Sequence, residues 1–444
     1  MSKPVVAIVG RPNVGKSTLF NDIAGSQISI VDDRPGVTRD RIYADCTWLD
    51  RGFTLIDTGG IEPDSLEVIP AQMREQAEIA IETADVIILV VDGREGLMDD
   101  DQRVTEILRR SRKPVVLCVN KIDNFQKEQN AIYEFYGLGL GDPFPVSAAN
   151  RQGVGDLLDE VCASFPENTG KDEGDDRPRI AIVGRPNVGK SSIVNRLVGE
   201  NRVIVSDIAG TTRDAIDTPL VRNGQEYVLI DTAGLRRKSK IHENIERFSI
   251  IRTVTAVDRA DVVVLVIDAT AGVTEQDAKI AGIAHERGKG ILIAVNKWDA
   301  YADKTDKSVY TFEAETRRIL SYLDYADILF ISAKTGQRLD RMFTKIDNII
   351  QAINLRVGTG VLNEVLARAL AAQQPPSDKG RRLRVFYMTQ VGTKPPTFAV
   401  FVNDKTLMHY SYTRYLENQV RDAFGFRGTP LRFLIRERKG EENA

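Results

Sequence analysis

Short apolar runs, largely without charge, alternate along this chain with segments of helical periodicity. Runs rich in Val and Ile are typical of strands covered on both faces of a parallel sheet. The alternation predicts a doubly wound, mostly parallel α/β domain, with its ligand at the carboxyl ends of the strands. The strands predicted in the first part of the chain are Val5 to Val9, Thr54 to Ile56, Asp85 to Val91, Val115 to Val119 and Pro143 to Val146.

The chain contains a long internal repeat. The eleven residues from Ala7 to Ser17 recur without change from Ala181 to Ser191. Four further pairs follow in order: Thr38-Arg-Asp and Thr212-Arg-Asp, Asp57-Thr-Gly-Gly and Asp231-Thr-Ala-Gly, Asn120-Lys-Ile-Asp and Asn296-Lys-Trp-Asp, and Ser147-Ala and Ser332-Ala. Such a series indicates two copies of one domain, predicted at residues 1–166 and 179–355.

The rest of the chain differs from the repeat. Residues 167–178 are acidic, lack apolar anchors and end in proline, which predicts a flexible linker. Residues 356–444 predict a small α+β domain in the order α-β-β-α-β. Its predicted elements are a helix from Val361 to Ala372, strands from Arg384 to Val391 and Thr397 to Val402, a helix from Tyr412 to Phe424 and a strand from Leu431 to Arg436.

Composition narrows the class of protein. Of the 444 residues, 42% are hydrophobic and 28% charged, the balance of a soluble globular chain. The apolar runs are far shorter than the roughly 20 residues that span a bilayer, and the first residues lack the features of a signal peptide. Three cysteines form no disulfide framework and favour a reducing compartment. We therefore expect a cytoplasmic protein without a membrane partner.

Charge is unevenly distributed. Residues 356–444 carry 15 Lys and Arg against 8 Asp and Glu, although the whole chain has a net charge of −3. A basic domain on an acidic body suggests a polyanionic partner. The alternative is an ordinary solvated face.

Each copy begins with a phosphate-loop pattern. Gly10, Gly15, Lys16 and Ser17 fit G-x-x-x-x-G-K-[ST], as do Gly184, Gly189, Lys190 and Ser191. Each pattern lies between a strand and a helical segment, where backbone amides and the helix N-terminus can hold phosphates. The lysines would reach the β- and γ-phosphates and the serines would ligate Mg²⁺. The alternative is a glycine-rich turn without a ligand.

A carboxylate follows a later strand in each copy. Asp57 and Asp231 suit Mg²⁺, which takes few protein oxygens, and Gly60 and Gly234 permit an amide to approach the γ-phosphate. Thr38 and Thr212 lie in loops where a hydroxyl could close over the metal. The alternative for these threonines is an ordinary capping or turn segment.

The next motif selects the base. Asp123 and Asp299 end Asn-Lys-x-Asp motifs, and a carboxylate accepts from two adjacent N–H donors. Guanine presents such a pair and adenine does not, so the site specifies guanine. The remaining members of the predicted base sites are Asn120, Lys121, Ser147 and Ala148 in the first copy and Asn296, Lys297, Ser332, Ala333 and Lys334 in the second.

Together these motifs resemble the five G-motifs of TRAFAC-class GTPases. Two such domains followed by a small basic domain resemble the Der/EngA family of bacterial GTPases, over nearly the whole chain. The resemblance implies GTP hydrolysis coupled to assembly of the large ribosomal subunit and its ribosomal RNA, and a KH-like C-terminal domain docked between the G domains. We also expect a monomer that does not bind DNA.

The resemblance also assigns roles to residues. Catalytic positions are Lys16, Thr38, Gly60, Lys190, Thr212 and Gly234. Nucleotide contacts include the loop and base residues above together with Asn13, Asn187, Thr18 and Ser192. The Mg²⁺ ligands are Ser17, Thr38, Asp57, Ser191, Thr212 and Asp231.

Two features bear on turnover. Ile61 and Leu235 stand where Ras-like enzymes carry a water-orienting glutamine, so we expect slow hydrolysis. Asn13 and Asn187 resemble the asparagine of potassium-activated relatives, so a bound K⁺ could supply positive charge. The alternatives are asparagines that serve only their own loops, a copy that binds GTP without cleaving it, and a GTP-sensing scaffold with negligible turnover.

The two copies are not identical. The second has a basic run from Leu235 to Lys240, which could dock on RNA or be solvated, and Lys334 where the first has Ala149. We therefore expect unequal nucleotide affinities. Trp298, within the second Asn-Lys-x-Asp motif, is interpreted as a packing residue. The alternative is that it covers one side of the base pocket.

The basic tail contains a GxxG sequence, Gly425 to Gly428, but it follows the last helix, whereas KH domains place theirs between two helices. We interpret it as a helix cap and turn. Contact with nucleic acid would instead use scattered basic residues, and domain packing is the competing use of the same face. These residues are Arg381, Arg382, Arg384, Arg432, Arg436, Arg438 and Lys439.

Overall fold

The computed structural model describes residues 3–27, 43–59, 77–78, 80–124, 129–166, 177–200, 217–222, 224–230, 245–301, 305, 307–378 and 380–438. The chain forms two compact units. One comprises residues 1–175 and 241–255, and the other residues 176–240 and 256–444.

The first unit contains a six-stranded sheet in the order β2-β3-β1-β4-β5-β6. Only the β2–β3 pair is antiparallel. The strands are β1 (Val5–Val9), β2 (Tyr43–Trp48), β3 (Arg51–Asp57), β4 (Val86–Asp92), β5 (Val115–Asn120) and β6 (Pro143–Pro145). The described helices of this copy are α1 (Lys16–Gln27), α2 (Asp99–Ser111), α3 (Gln129–Tyr133) and α4 (Val154–Ala163).

The second unit repeats the same sheet, in the order β8-β9-β7-β10-β11-β12. The strands are β7 (Arg179–Val183), β8 (Thr218–Arg222), β9 (Gln225–Ile230), β10 (Val262–Asp268), β11 (Gly290–Asn296) and β12 (Asp327–Phe330). The described helices of the second copy are α5 (Lys190–Glu200), α6 (Ile245–Arg259), α7 (Glu275–Glu286), α8 (Ser308–Ile319) and α9 (Leu339–Asn354). Within the described part of the chain, no helix combines the length and apolarity needed to cross a membrane.

Both faces of the first sheet are covered, as its apolar runs predict. Along β1, Val5, Ala7 and Val9 belong to one core, whereas Val6 and Ile8 belong to the core on the opposite face. All seven residues of β4 are buried. The predicted doubly wound fold is therefore confirmed.

One strand of the first sheet was not predicted from the sequence, because it contains no apolar run. β2 lies at the sheet edge, and Cys46 is its only fully buried side chain. An edge strand that buries so little needs few hydrophobic residues. Its existence therefore depends on pairing with β3 rather than on its own pattern.

The C-terminal domain has the predicted α-β-β-α-β order. Its elements are α10 (Thr359–Ala372), β15 (Val385–Gly392), β16 (Thr397–Val402), α11 (Tyr410–Phe424) and β17 (Arg432–Glu437), with a short hairpin of β13 (Ser377–Asp378) and β14 (Arg381–Arg382) after α10. β16 is the central strand, antiparallel to β15 and parallel to β17.

The GxxG sequence follows α11 in the chain and is hydrogen bonded to the second G domain. Gly425 caps the helix in the left-handed conformation (φ +73°), and its N–H donates to Arg421 O at 2.8 Å. Gly428 N donates to Tyr325 O at 2.9 Å, and Gly428 O accepts from Ile291 N at 2.7 Å. Its interpretation as a cap and turn is confirmed, and both backbone groups of Gly428 are engaged by the G domain.

Replacing each glycine by alanine should separate capping from domain contact. Gly425→Ala strains a left-handed residue with open space around it, so we expect a loss of about 1 kcal/mol. In Gly428→Ala the new Cβ would also overlap the buried side chain of Ile349, adding about 1–3 kcal/mol. Differential scanning calorimetry measures both losses. Equal losses would contradict the close contact of Gly428 with the G domain.

Candidate functional site

The loop after the first strand of each copy holds a lysine against backbone carbonyls. Lys16 Nζ donates to Gly10 O and Arg11 O, both at 2.8 Å. Lys190 Nζ makes the same two hydrogen bonds in the second copy, at 2.7 and 2.6 Å. Burial lowers the pKa of Lys190 to about 8. A phosphate beside it would favour the protonated amine, so an anionic ligand would raise this pKa again.

A buried asparagine connects this loop to two others. Asn120 Nδ2 donates to Val14 O at 2.8 Å, and its Oδ1 accepts from Ala148 N at 3.1 Å. Asn296 repeats both bonds at 2.8 and 2.9 Å with the equivalent residues of the second copy. Gly15 (φ +94°) leaves room for this amide, because a Cβ there would overlap it. The protein itself therefore uses both ends of each predicted base-site asparagine.

A carboxylate approaches the first lysine from the neighbouring strand. Asp57 is buried at the end of β3, and its Oδ1 accepts from Gly59 N at 2.8 Å. A Cβ added to Gly59 would lie 3.1 Å from Asp57 Oδ1 and 3.4 Å from Lys16 Nζ. Lys16 and Asp57 therefore lie on either side of the Gly59 backbone, where the amine fits phosphate oxygens and the carboxylate supplies an oxygen of the kind that Mg²⁺ takes.

The sequence prediction missed two buried aspartates in the base sites. Asp92 ends β4 and pairs with Lys121 Nζ at 2.6 Å, and Asp268 ends β10 and pairs with Lys297 Nζ at 2.5 Å. Burial alone would raise the pKa of Asp92, but hydrogen bonds from Lys121 and backbone amides keep it below the usual value. Both lysines adopt positive φ. The available signal was an aspartate closing an apolar strand in each copy.

A second missed pair anchors each phosphate loop. Arg11 contacts the buried Asp101 at 3.3 Å, and Arg185 contacts the fully buried Asp277 at 3.0 Å. Asp277 also caps α7 together with Thr274. The arginine common to both loops therefore has a structural partner, which a motif comparison could not reveal.

The carboxylate predicted to read guanine in the first copy is already hydrogen bonded. Asp123 Oδ1 accepts from Ser147 Oγ at 2.7 Å and Asn150 Nδ2 at 2.9 Å, and its Oδ2 forms an ion pair with the exposed Arg94. The hydrogen bond from Ser147 and the Arg94 charge lower the pKa of Asp123. Position 94 corresponds to Thr270 in the second copy, whose hydroxyl instead donates to Asp268 at 2.7 Å.

The other described site residues lie close to these loops. Asn13 and Asn187 are exposed and adopt positive φ (+65° and +62°), a conformation that asparagine tolerates. Ser17 and Thr18 lie in the first turn of α1, and Ser191 and Ser192 lie in the first turn of α5. Ser332 and Ala333 are buried, whereas Lys334 is exposed.

Trp298 is buried against Phe330 and Tyr301, in keeping with its interpretation as a packing residue.

Several predicted positions lie outside the described residues. They are Thr38, Gly60, Thr212, Asp231, Gly234, the run from Leu235 to Lys240, Lys439 and most of the predicted linker. In the second copy the described site therefore comprises the phosphate loop and the base site.

Asp299 differs from Asp123 in its surroundings. Its side chain is partly buried, whereas that of Asp123 is exposed and forms an ion pair with Arg94. The buried residues of the two base sites make the same contacts, whereas the surroundings of Asp123 and Asp299 differ.

Two family models match the chain. One, described as a 50S ribosome-binding GTPase, matches residues 5–121 and again residues 179–297. The other, described as the KH-domain-like C-terminal domain of EngA bacterial GTPase enzymes, matches residues 356–436.

Curated relatives extend over the same length. The chain is 69% identical over 439 residues to GTPase Der of Lachnoclostridium phytofermentans, covering 99% of each chain. It is 66% identical over 442 residues to GTPase Der of Lachnospira eligens, covering 100% of each. Among solved structures, Aquifex aeolicus Era bound to GDP and AlF4⁻ is 19% identical, with a TM-score of 0.30 over 58% of this chain and 92% of that one. Because full-length relatives and both family models agree, this chain belongs to the Der (EngA) family of GTPases.

Proposed function

We propose that this GTPase depends on Mg²⁺, cleaves GTP in both copies and acts as a nucleotide-gated switch in assembly of the large ribosomal subunit. The observation that carries the proposal is the repeated match to a family described as a 50S ribosome-binding GTPase. The proposal includes a cytoplasmic monomer with G domains at 1–166 and 179–355, a linker at 167–178 and a basic domain at 356–444. Its partner is the large subunit with its ribosomal RNA.

The phosphate groups and Mg²⁺ would be held at the loop of each copy. Ser17, Asp57 and Thr38 fit the metal in the first copy, and Ser191, Asp231 and Thr212 are their counterparts. When bound, Mg²⁺ would supply positive charge that offsets the charge developing on the phosphates. Lys16 and Lys190 would exchange their backbone carbonyl partners for phosphate oxygens. The amides of Gly60 and Gly234 would contact the γ-phosphate.

Hydrolysis should be slow without a partner. Ile61 and Leu235 follow the Asp-x-x-Gly motifs, and an apolar side chain cannot orient a water by hydrogen bonding. Binding to the ribosomal subunit would therefore be a natural source of acceleration.

Guanine would be read by Asp123 and Asp299, with the amides of Ala148 and Ala333 near its oxygen. In the first copy, Arg94 and Asn150 occupy acceptor positions of Asp123 that the base needs. Guanine must displace them, whereas Thr270 is too short to do the same in the second copy. We infer that the first site binds guanine nucleotides more weakly than the second.

Exchanging these residues should move the two affinities in opposite directions. In an Asp299→Asn background, where only the first site reads guanine, Arg94→Thr should tighten binding of fluorescent GDP about two- to fivefold, because guanine no longer has to displace an exposed ion pair. In an Asp123→Asn background, Thr270→Arg should weaken binding. The change in affinity caused by each substitution should be smaller at high salt, because salt screens the charge of the arginine. Unchanged affinities would exclude competition by Arg94.

Ligation of K⁺ by Asn13 and Asn187 can be distinguished by experiment from a role of these residues only in the conformation of the loop. We propose K⁺ ligation by Asn13 and Asn187, but their positive φ offers another reason for asparagine. Glycine keeps that conformation without the amide oxygen. If K⁺ is bound, replacing Na⁺ by K⁺ should raise GTP turnover about tenfold or more, and the double variant Asn13→Gly/Asn187→Gly should lose this gain. A double variant that retains it would leave only the backbone role.

The ribosomal function can be tested by sedimentation of the protein with separated subunits. We expect the full chain to bind the large subunit with a non-hydrolysable GTP analogue and to release it with GDP. Asp123→Asn and Asp299→Asn identify which copy controls binding, since each variant disables one guanine site. Sedimentation with neither subunit in either state would overturn the proposed partner.

A further inference from the structure

The sheet of the C-terminal domain has two very different faces. Met388, Phe398 and Val400 point into the core that α10 and α11 cover. The register then places the residues between them on the opposite face. That second face carries an unusual set of side chains.

Aromatic residues line the second face. Tyr387 is paired with Phe401 across β15 and β16, with ring centroids 4.3 Å apart and planes 11° from parallel. Arg436 is the β17 neighbour of Phe401, and Leu434, in the adjacent row, is 41% exposed. Large apolar side chains are thus presented at the surface beside a cation.

A bulge adds a third ring. The register shifts between Val385 and Tyr387, so Phe386 has no cross-strand partner, and it is 44% exposed. The Arg438 guanidinium lies 5.9 Å from its ring centroid, within cation–π range. Bulges commonly re-aim a side chain for function. We call Phe386, Tyr387, Phe401 and Leu434, with Arg384, Arg436 and Arg438, the aromatic face.

The charges around this face distinguish it from the rest of the domain. Arg381 pairs with Asp404, and Arg432 donates to Glu286 O, so both serve protein contacts. The side chains of Arg384 and Arg436 are exposed and have no ion-pair partner among the described residues. Two cations therefore remain available to a ligand beside stacked rings.

We propose that the aromatic face binds single-stranded RNA. Unpaired bases would stack on Phe386 and Tyr387, and phosphates would contact Arg384 and Arg436. Exposed rings with flanking cations are the combination that single-stranded nucleic acid recognises. A duplex, whose bases are already stacked, gains little there. The inference rests on the proposed ribosomal function and names the surface that meets the RNA.

The same structure excludes the GxxG loop from this role. A KH loop clamps nucleic acid through its backbone, whereas the backbone of Gly428 is hydrogen bonded to Tyr325 and Ile291. Arg432, at one end of the second face, contacts the G domain, whereas Phe386, Leu434 and Arg436 are exposed. The exposed part of the face is therefore the surface that we assign to RNA.

Aromatic substitutions in the full chain provide the first test. Fluorescence anisotropy with a labelled 12-nucleotide single-stranded RNA of mixed sequence should show about tenfold weaker binding for Phe386→Leu and for Tyr387→Leu. Tyr410→Leu is the matched control, since Tyr410 is 59% exposed on α11, which packs on the opposite face of the sheet. Leucine keeps an apolar surface, and thermal denaturation checks that each variant is folded.

Salt dependence tests the cations. Arg436→Gln should reduce the slope of log affinity against log salt by about 0.7, the value for one phosphate contact on a single strand. Arg368→Gln, on the exposed side of α10, should leave the slope unchanged. An aromatic variant that is folded and binds RNA like the wild type would overturn the inference.

Subunit sedimentation distinguishes the two proposals. If the wild type binds the large subunit but the aromatic variants bind RNA normally, the aromatic face is wrong and the ribosomal function stands. If those variants lose the subunit yet bind RNA normally, the face meets protein, which also overturns the inference. If the aromatic variants lose RNA binding but the wild type sediments with neither subunit, the proposed ribosomal function is wrong. The proposal that the aromatic face binds RNA then still stands.

Discussion

The geometry of both nucleotide sites depends on one buried amide in each copy. Asn120 and Asn296 each join the phosphate loop to the loop after the last strand, using a donor and an acceptor on opposite ends of one side chain. Loss of this amide would leave a carbonyl and an N–H buried without partners, at about 1–3 kcal/mol each. In each copy the phosphate loop and the loop after the last strand are therefore held together by one side chain.

Around that amide, opposite charges are paired inside the protein. Asp92 and Asp268 hold Lys121 and Lys297, and Asp101 and Asp277 hold the loop arginines. These pairs recur in both copies, whereas Arg94 and Thr270 differ at the solvent edge. The two G domains therefore share the same buried ion pairs. The difference that the structure shows lies at the exposed edge of the base sites, where Arg94 pairs with Asp123 and Thr270 donates to Asp268.

The C-terminal domain shows how tertiary contacts reassign a motif. Its GxxG sequence has the composition of a nucleic-acid clamp, yet it lies against the second G domain because Gly428 fits closely over Ile349. The same docking directs Arg432 to a G-domain carbonyl. Arg384 and Arg436, beside the rings of the sheet, are exposed and form no ion pair with any residue that the structure describes.

The sequence by itself determined the two α/β domains, their duplication and the guanine motifs, because buried strands must be apolar and phosphate loops need glycine, lysine and serine at fixed spacing. It did not determine strand β2, whose edge position requires little burial, or the roles of Asp92, Arg94 and Arg11, whose partners lie far away in the chain. Only tertiary structure decided which arginines are used internally and which remain exposed. Side-chain pairing between distant segments leaves no periodic trace in a sequence, whereas burial within a strand does.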